Sequence, residues 1–505
     1  MPSPLHYPRR ATHRLAPSAA PPLRPDPELV LASGLLFAVT GILCLSQATD
    51  AWSMRLLATT SVLAACTFLL RAASRVGRSN DIGLCVLILA TIFWFYAPAA
   101  STAFTDEQWY QRAARLRIDN AHALKAFLAL NLFTFVLVTA YQFRFRRSFS
   151  ASLRPLLGHD RWPSGRRIVT FLAACSIISC AFYAVLSGGV AGALSNFLAS
   201  RTVHKPWDSQ GNYGTALSPW HILCTGALVF AASFGFHVLV QKRIRAISAR
   251  ALVFSVALLS AAIVILESGT RSVTLQVVAP ATLLYFRERI AGQLLRRAPR
   301  LLPILALGVV MLSLANFQLA HRSGVQIEGT VPDVEIQHND FFTMTAFGFA
   351  AQEQLGYYLY DSALLLIATG PVPRVLWPGK PEPSVVVEFS SAYWGIDITL
   401  HGSNTMPSLL GQYFMSWGWF GILEIAAGLG LVVKLGDTFS GTVSRTSPLL
   451  FSYAAFLTYL FVGFRFLGLN FFPTFAFSAI FVWLLTRRTQ STPSDLPRLL
   501  GSSQL

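Results

Sequence analysis

The 505-residue sequence predicts an all-α fold, a polytopic transmembrane helical bundle. Hydrophobic residues make up 53% of the chain, charged residues only 12%, and the mean hydropathy is +0.52, far from the values of a soluble domain of this length. Apolar runs near the roughly 20 residues that cross a bilayer recur from end to end. About 12 spans follow, centred near Phe37, Ala64, Ala90, Leu132, Ile177, Phe230, Leu258, Ala279, Val309, Ala426, Phe456 and Ile480.

Loop charge orients these spans, because Lys and Arg near span ends are retained in the cytoplasm. With both termini inside, 28 of the 40 basic residues fall on the cytoplasmic side. The net charge of +17 therefore reads as positive-inside charge. The same reading removes the nucleic-acid alternative for Arg144, Arg146, Arg147, Arg166 and Arg167, which a basic pI would otherwise suggest.

Five segments follow from this pattern. Residues 1–27 are Pro-, Ala- and Arg-rich and read as a disordered cytoplasmic tail. Residues 28–320 hold spans 1–9, and the first apolar run is too long for a cleaved signal sequence, so it reads as an anchor. Residues 321–413 form a large periplasmic loop, 414–488 hold spans 10–12, and 489–505 are a second cytoplasmic tail. Within the loop, Asp340 to Ala368 has helical composition interrupted by Gly348 and Gly356, and predicts two helices lying at the outer interface. Prolines 371, 373, 378, 381 and 383 then forbid a continuous helix.

Some chemistry is excluded by pattern. The cysteines at 44, 66, 85, 175, 180 and 224 lie in or near apolar spans without paired spacing, which argues against disulfides and zinc. No HExxH, Walker-type loop, GxSxG or paired-aspartate motif is present. The expected chemistry therefore uses no metal and no cofactor.

The residues left to carry a function are outer-face cations and their neighbours. They are Arg271 in ESGTR, Arg374 and Lys380 in PRVLWPGKP, His401 and Asn404 in LHGSN, and Arg465 in GFRFLG. An arginine within a span costs about 2.5–3.5 kcal/mol to insert, and a phosphate in contact returns about 4 kcal/mol at an effective dielectric of 20. Each residue also has a structural reading. Arg271 can pair with Glu267 at i, i+4, Arg465 can snorkel to the interface, and Arg374 and Lys380 can be solvated loop charges. His401 is an acid–base candidate or an incidental loop histidine, and Asn404 orients it, binds sugar or serves the turn after Gly402. Glu328, Asp333, Glu335, Asp340 and Glu353 form no recognisable pair.

The order GTR at a span start, PRVLWPGKP in a long loop, and NTMPSLLGQYFMSWGWFG opening the next span resembles the Wzy-type O-antigen polymerases, the oligosaccharide repeat-unit polymerases of bacterial envelopes. The likeness covers about Glu267 to Leu485, and Gln412 departs from it where an acidic residue is expected. The resemblance implies a GT-C-like, metal-independent glycosyltransferase of the bacterial inner membrane. Its partners would be undecaprenyl-pyrophosphate-linked oligosaccharide, membrane lipid and a chain-length regulator, with no nucleic acid. Arg271, Arg374, Lys380 and Arg465 would contact pyrophosphate, with Arg374 and His401 serving catalysis, His401 as base, and Asn404 binding substrate. A ligase moving finished glycan to a lipid acceptor and a transporter of lipid-linked oligosaccharide remain as alternatives.

Overall fold

The computed structural model describes residues 82–99, 116–143, 145, 162–198, 218–241, 243, 244, 246–268, 271–289, 339–360, 377, 384–395, 407–444, 447–465 and 472–487, with isolated positions between 31 and 65. Every regular element among these residues is helical, and none is a strand. Six helices are long and apolar enough to cross a membrane, which makes this a helical, membrane-embedded protein. They are α1 (Ile82–Ala99), α2 (Asn120–Tyr141), α3 (Gly165–Leu186), α5 (Ser218–Val240), α6 (Ile247–Ser268) and α10 (Leu409–Ser440). Shorter elements are α4 (Val190–Leu198), α7 (Arg271–Arg289), α8 (Asn339–Leu355), α9 (Ser384–Trp394), α11 (Leu449–Gly463) and α12 (Phe472–Arg487).

Nine of the expected span centres, from Ala90 to Leu258 and then Ala279, Ala426, Phe456 and Ile480, fall inside these helices. Those at Phe37, Ala64 and Val309 lie outside the described residues. Helix α5 is central, with 78% of its apolar stretch buried, whereas α3 is peripheral at 28%. The large side chains that α3 and α6 leave exposed, such as Ile177, Ile178, Val185, Phe254 and Leu259, are the lipid-compatible surface that a bilayer would cover.

Two packed groups share the bundle. Helices α1, α2, α8 and α10 close around one core that includes Phe133, Phe349 and Phe414, and α3, α5, α6 and α12 surround others centred on Phe230, Phe234 and Ala257. Long-range contacts join like ends of neighbouring helices. At one end Trp94 donates to the carbonyl of Phe461 and His221 meets Glu267. At the other, Gly83, Tyr141 and Tyr453 all donate to Asp437. This is the alternation of direction that successive short-looped spans require.

Of the segment expected as two interface helices, residues 361–368 lie outside the described residues, and the part before them is not broken at Gly348. Helix α8 runs unbroken through Gly348, and residues 342–351 are all buried. Only Gly356, at φ +72°, ends the helix as its residue type suggests. The reason lies in packing: a Cβ at Gly348 would stand 2.9 Å from the Cα of Gly411, so the missing side chain permits two backbones to touch.

Helix α10 begins at Leu409, capped by Ser408, whose Oγ accepts from the backbone N–H of Gly411 at 3.1 Å. Gly418 breaks it with φ 60° and ψ −144°, a conformation open to glycine alone. A side chain at Gly421 would collide with the carbonyl of Tyr413, so the chain folds sharply back at Gly418. Length alone makes α10 one 32-residue span, but we read it as two limbs, 409–417 and 419–440. The second limb, about 33 Å long at 1.5 Å per residue, suffices to cross a bilayer by itself.

Candidate anion site beside a broken helix pair

The first limb of α10 packs parallel to α8. Thr345 Oγ1 lies 2.5 Å from Ser408 Oγ, Phe349 stacks on Phe414 with ring centroids 3.8 Å apart, and Gly348 touches Gly411 between them. Past the end of α8, the N–H groups of Leu359 and Tyr360 donate to the carbonyls of Met415 and Ser416, each at 3.0 Å. These carbonyls belong to the turn before the break, where helical partners run out. Tyr358 fills the space over Gly418, where a Cβ would meet its hydroxyl at 2.7 Å. The MSWGWFG signature is therefore a helix break and the dock for residues 358–360.

Arg465 stands at the opposite end of this pair. Helix α11 has 15 residues, about 22 Å, less than the roughly 30 Å of a hydrocarbon core. Its C-cap, Phe464, packs against Phe95 and Phe133 with centroids 5.7 Å away in each case. Phe133 lies about 20 Å along α2 from its first residue, so Arg465 sits near half-depth of that helix. The Arg465 side chain is exposed, and its guanidinium lies 5.4 Å from the ring centroid of Phe341. Phe341 is in the first turn of α8 and also meets Trp94 edge-on at 4.9 Å. The positive end of the α8 dipole and the guanidinium thus share one location, which favours an anion there.

A π turn over Ile92–Tyr96 helps to shape this place. It lets Trp94 bond the carbonyl of Phe461 at 2.6 Å while Tyr96 donates to Asn131 at 2.9 Å. Helix α1 is thereby bonded to α11 next to Arg465 and to α2.

Of the other expected site residues, Arg271 opens α7, five residues before the buried Gln276. Glu267, which the sequence offers to Arg271, meets His221 Nε2 of α5 at 3.1 Å. Arg374, Lys380, His401 and Asn404 lie outside the described residues.

The sequence reading missed a titratable cluster. Asp119 caps α2 by accepting from the His122 N–H at 2.9 Å, and its Oδ1 lies 2.6 Å from His122 Nδ1. His122 Nε2 lies 3.0 Å from Glu353, which also pairs with Lys125. Glu353, for which the sequence shows no partner, is therefore paired with cationic groups, because α8 folds onto the start of α2. Burial raises both carboxyls, but backbone and side-chain bonds to His122 outweigh it at Asp119, and bonds to Lys125 and His122 do so at Glu353. Both stay below their ordinary values. The Asp-x-x-His spacing at a helix start was the available signal, but its partner lay 231 residues away.

The fold and site define a helical membrane protein with a broken helix pair beside an accessible arginine. No protein family, curated protein or solved structure matches the chain.

Proposed function

We propose that this protein is a GT-C-like oligosaccharide repeat-unit polymerase of the bacterial inner membrane, with twelve spans and both termini cytoplasmic. The single observation that supports it best is Arg465, accessible near half-depth of α2 beside the first turn of α8. Contact with a phosphate group would offset the insertion cost of an arginine at such depth. A polyprenyl pyrophosphate suits an anion site embedded among lipid-facing helices. The charge pattern, the outer-loop motifs and their resemblance to the Wzy-type polymerases supply the rest.

In the reaction, a sugar hydroxyl of a lipid-linked repeat unit attacks the anomeric carbon of the growing glycan. The new C–O bond forms as the bond to undecaprenyl pyrophosphate breaks. The pyrophosphate leaves with the electron pair, and the hydroxyl proton passes to a base, a role assigned to His401. Arg271, Arg374, Lys380 and Arg465 stabilise the pyrophosphate charge, which makes electrostatics the main catalytic contribution. Asn404 binds the sugar, and an outside chain-length regulator sets the extent of polymerisation.

A second reading draws on the break at Gly418. Discontinuous helices also build substrate sites in transporters, so a carrier of lipid-linked oligosaccharide uses the same construction. Mass spectrometry of lipid-linked glycans from cells lacking the protein separates the readings. Single repeat units accumulating at the periplasmic face are expected. Accumulation at the cytoplasmic face supports the carrier, and finished polymer without transfer supports a ligase. Unchanged glycans would remove all three.

A further inference from the structure

Helices α5, α7, α11 and α12 line a small, partly open and mainly apolar pocket, whose polar groups come from Ser233, Gln276, Thr458, Tyr459 and Ser478, with Pro280 beside them. Its volume is about 10 Å³, the room that one water molecule requires and too little for a sugar or a phosphate. Gln276 is 5% exposed and Ser233 2%. Among the described residues, neither amide atom of Gln276, nor the Ser233 hydroxyl, has a hydrogen-bond partner. Pro280 adds a further demand, since it has no N–H to return to the carbonyl of Gln276 four residues earlier.

We propose that this cavity binds one water molecule, held by Gln276 and Ser233, that links α5 to the proline-interrupted helix α7. The ligand must both donate and accept. The amide Nε2 of Gln276 presents hydrogens and needs an acceptor, whereas Oε1 accepts and the Ser233 hydroxyl does either. A bare cation answers the oxygens but repels the Nε2 hydrogens, which favours water over sodium or potassium. The surrounding polar groups are neutral: Thr458 donates to the carbonyl of Ala454, and Tyr459 and Ser478 complete the rim. A buried water of this kind makes about three hydrogen bonds, which the two unpartnered side chains can supply. The site stands apart from the functional reading, although α7 begins with Arg271 and α11 ends beside Arg465.

Radiolytic labelling of the purified full-length protein in ¹⁸O-water tests this directly. Tyr459 and Pro280 should take up label several-fold faster than Phe230, a fully buried residue of an apolar core. In Gln276→Leu that excess should vanish while the thermal midpoint holds or rises, because an unpartnered amide has been replaced by an apolar side chain. Ser233→Ala should lower it too, and that smaller change carries the test if Gln276→Leu does not fold. Labelling of Tyr459 and Pro280 no faster than Phe230 in the wild type would overturn the proposal. So would label that persists in the variants, and so would a midpoint raised by sodium or potassium chloride but not by choline chloride in wild type only, which would identify a cation.

Discussion

The backbone N–H of Gly83 donates to Oδ1 of Asp437 at 3.0 Å, across 354 residues of sequence. Tyr141 and Tyr453 donate to the same carboxylate at 2.6 and 2.9 Å, so one side chain ties α1, α2, α10 and α11 together at one end of the bundle. Gly83 is required for the approach, since a Cβ there would stand 2.7 Å from Asp437 Oδ2 and closer still to Tyr453.

Removing the acceptor should therefore be severe. Asp437→Ala removes a shared acceptor from three buried donors, of which Tyr453 still has the carbonyl of Val433 within 3.3 Å, and at about 1–3 kcal/mol for each buried donor left unsatisfied the loss should be on the order of 3 kcal/mol. Asp437→Asn retains an acceptor oxygen and should be milder. Thermal unfolding in detergent, followed by fluorescence-detected chromatography, checks the order Ala below Asn below wild type. Equal midpoints would show that the network contributes nothing.

Contact between Gly348 and Gly411 should hold α8 against the first limb of α10. Thr345→Cys with Ser408→Cys should form a disulfide readily, since the native oxygens are 2.5 Å apart and the bond needs side chains that already face each other. Adding Gly348→Val should slow that crosslink and destabilise the protein by about 1–3 kcal/mol, the range for overpacking. An unaffected crosslinking rate would mean that the close approach is incidental.

Arg465→Lys should keep the charge yet lose most polymerisation, because a compact ammonium replaces a planar, bidentate guanidinium poorly. Arg271→Lys should behave alike and Lys380→Arg should be milder. Glycan ladders from cells with matched membrane levels of each variant are the measurement. Wild-type ladders from both arginine variants would return these residues to the structural readings of snorkelling and span-end pairing.

The Asp119–His122–Glu353–Lys125 cluster should make stability acid-sensitive. Glu353 is held below its ordinary value of 4.5, so its contribution is complete above that pH and is lost as pH falls through the lowered value. The thermal midpoint of wild type should fall faster below pH 4.5 than that of Glu353→Gln, which has no carboxyl to protonate. Parallel curves would show that Glu353 is not coupled to folding. Exposure of the cluster, at 45% for the Glu353 side chain, keeps the effect modest.

Apolar run length determined the helical membrane class by itself, because burying backbone polar groups in lipid leaves little choice but helices. It also placed nine expected centres, from Ala90 to Ile480, inside apolar helices, six of them long enough to cross a bilayer, since each needs only the composition of its own 20 or so residues. The tertiary structure decided the remainder through contacts between distant residues. Gly348 looks like a helix breaker until Gly411, 63 positions on, turns out to need its missing side chain, and Glu353 shows no partner in the sequence until α8 carries it to Lys125 and His122. Arg465 was legible as a cation near the end of a span, but its place near half-depth of α2 beside Phe341 depends on where α11 stops. Local sequence sets which segments are helical and apolar. Depth, pairing and the reversal at Gly418 are set by which backbones can touch, and that is a property of the assembled bundle.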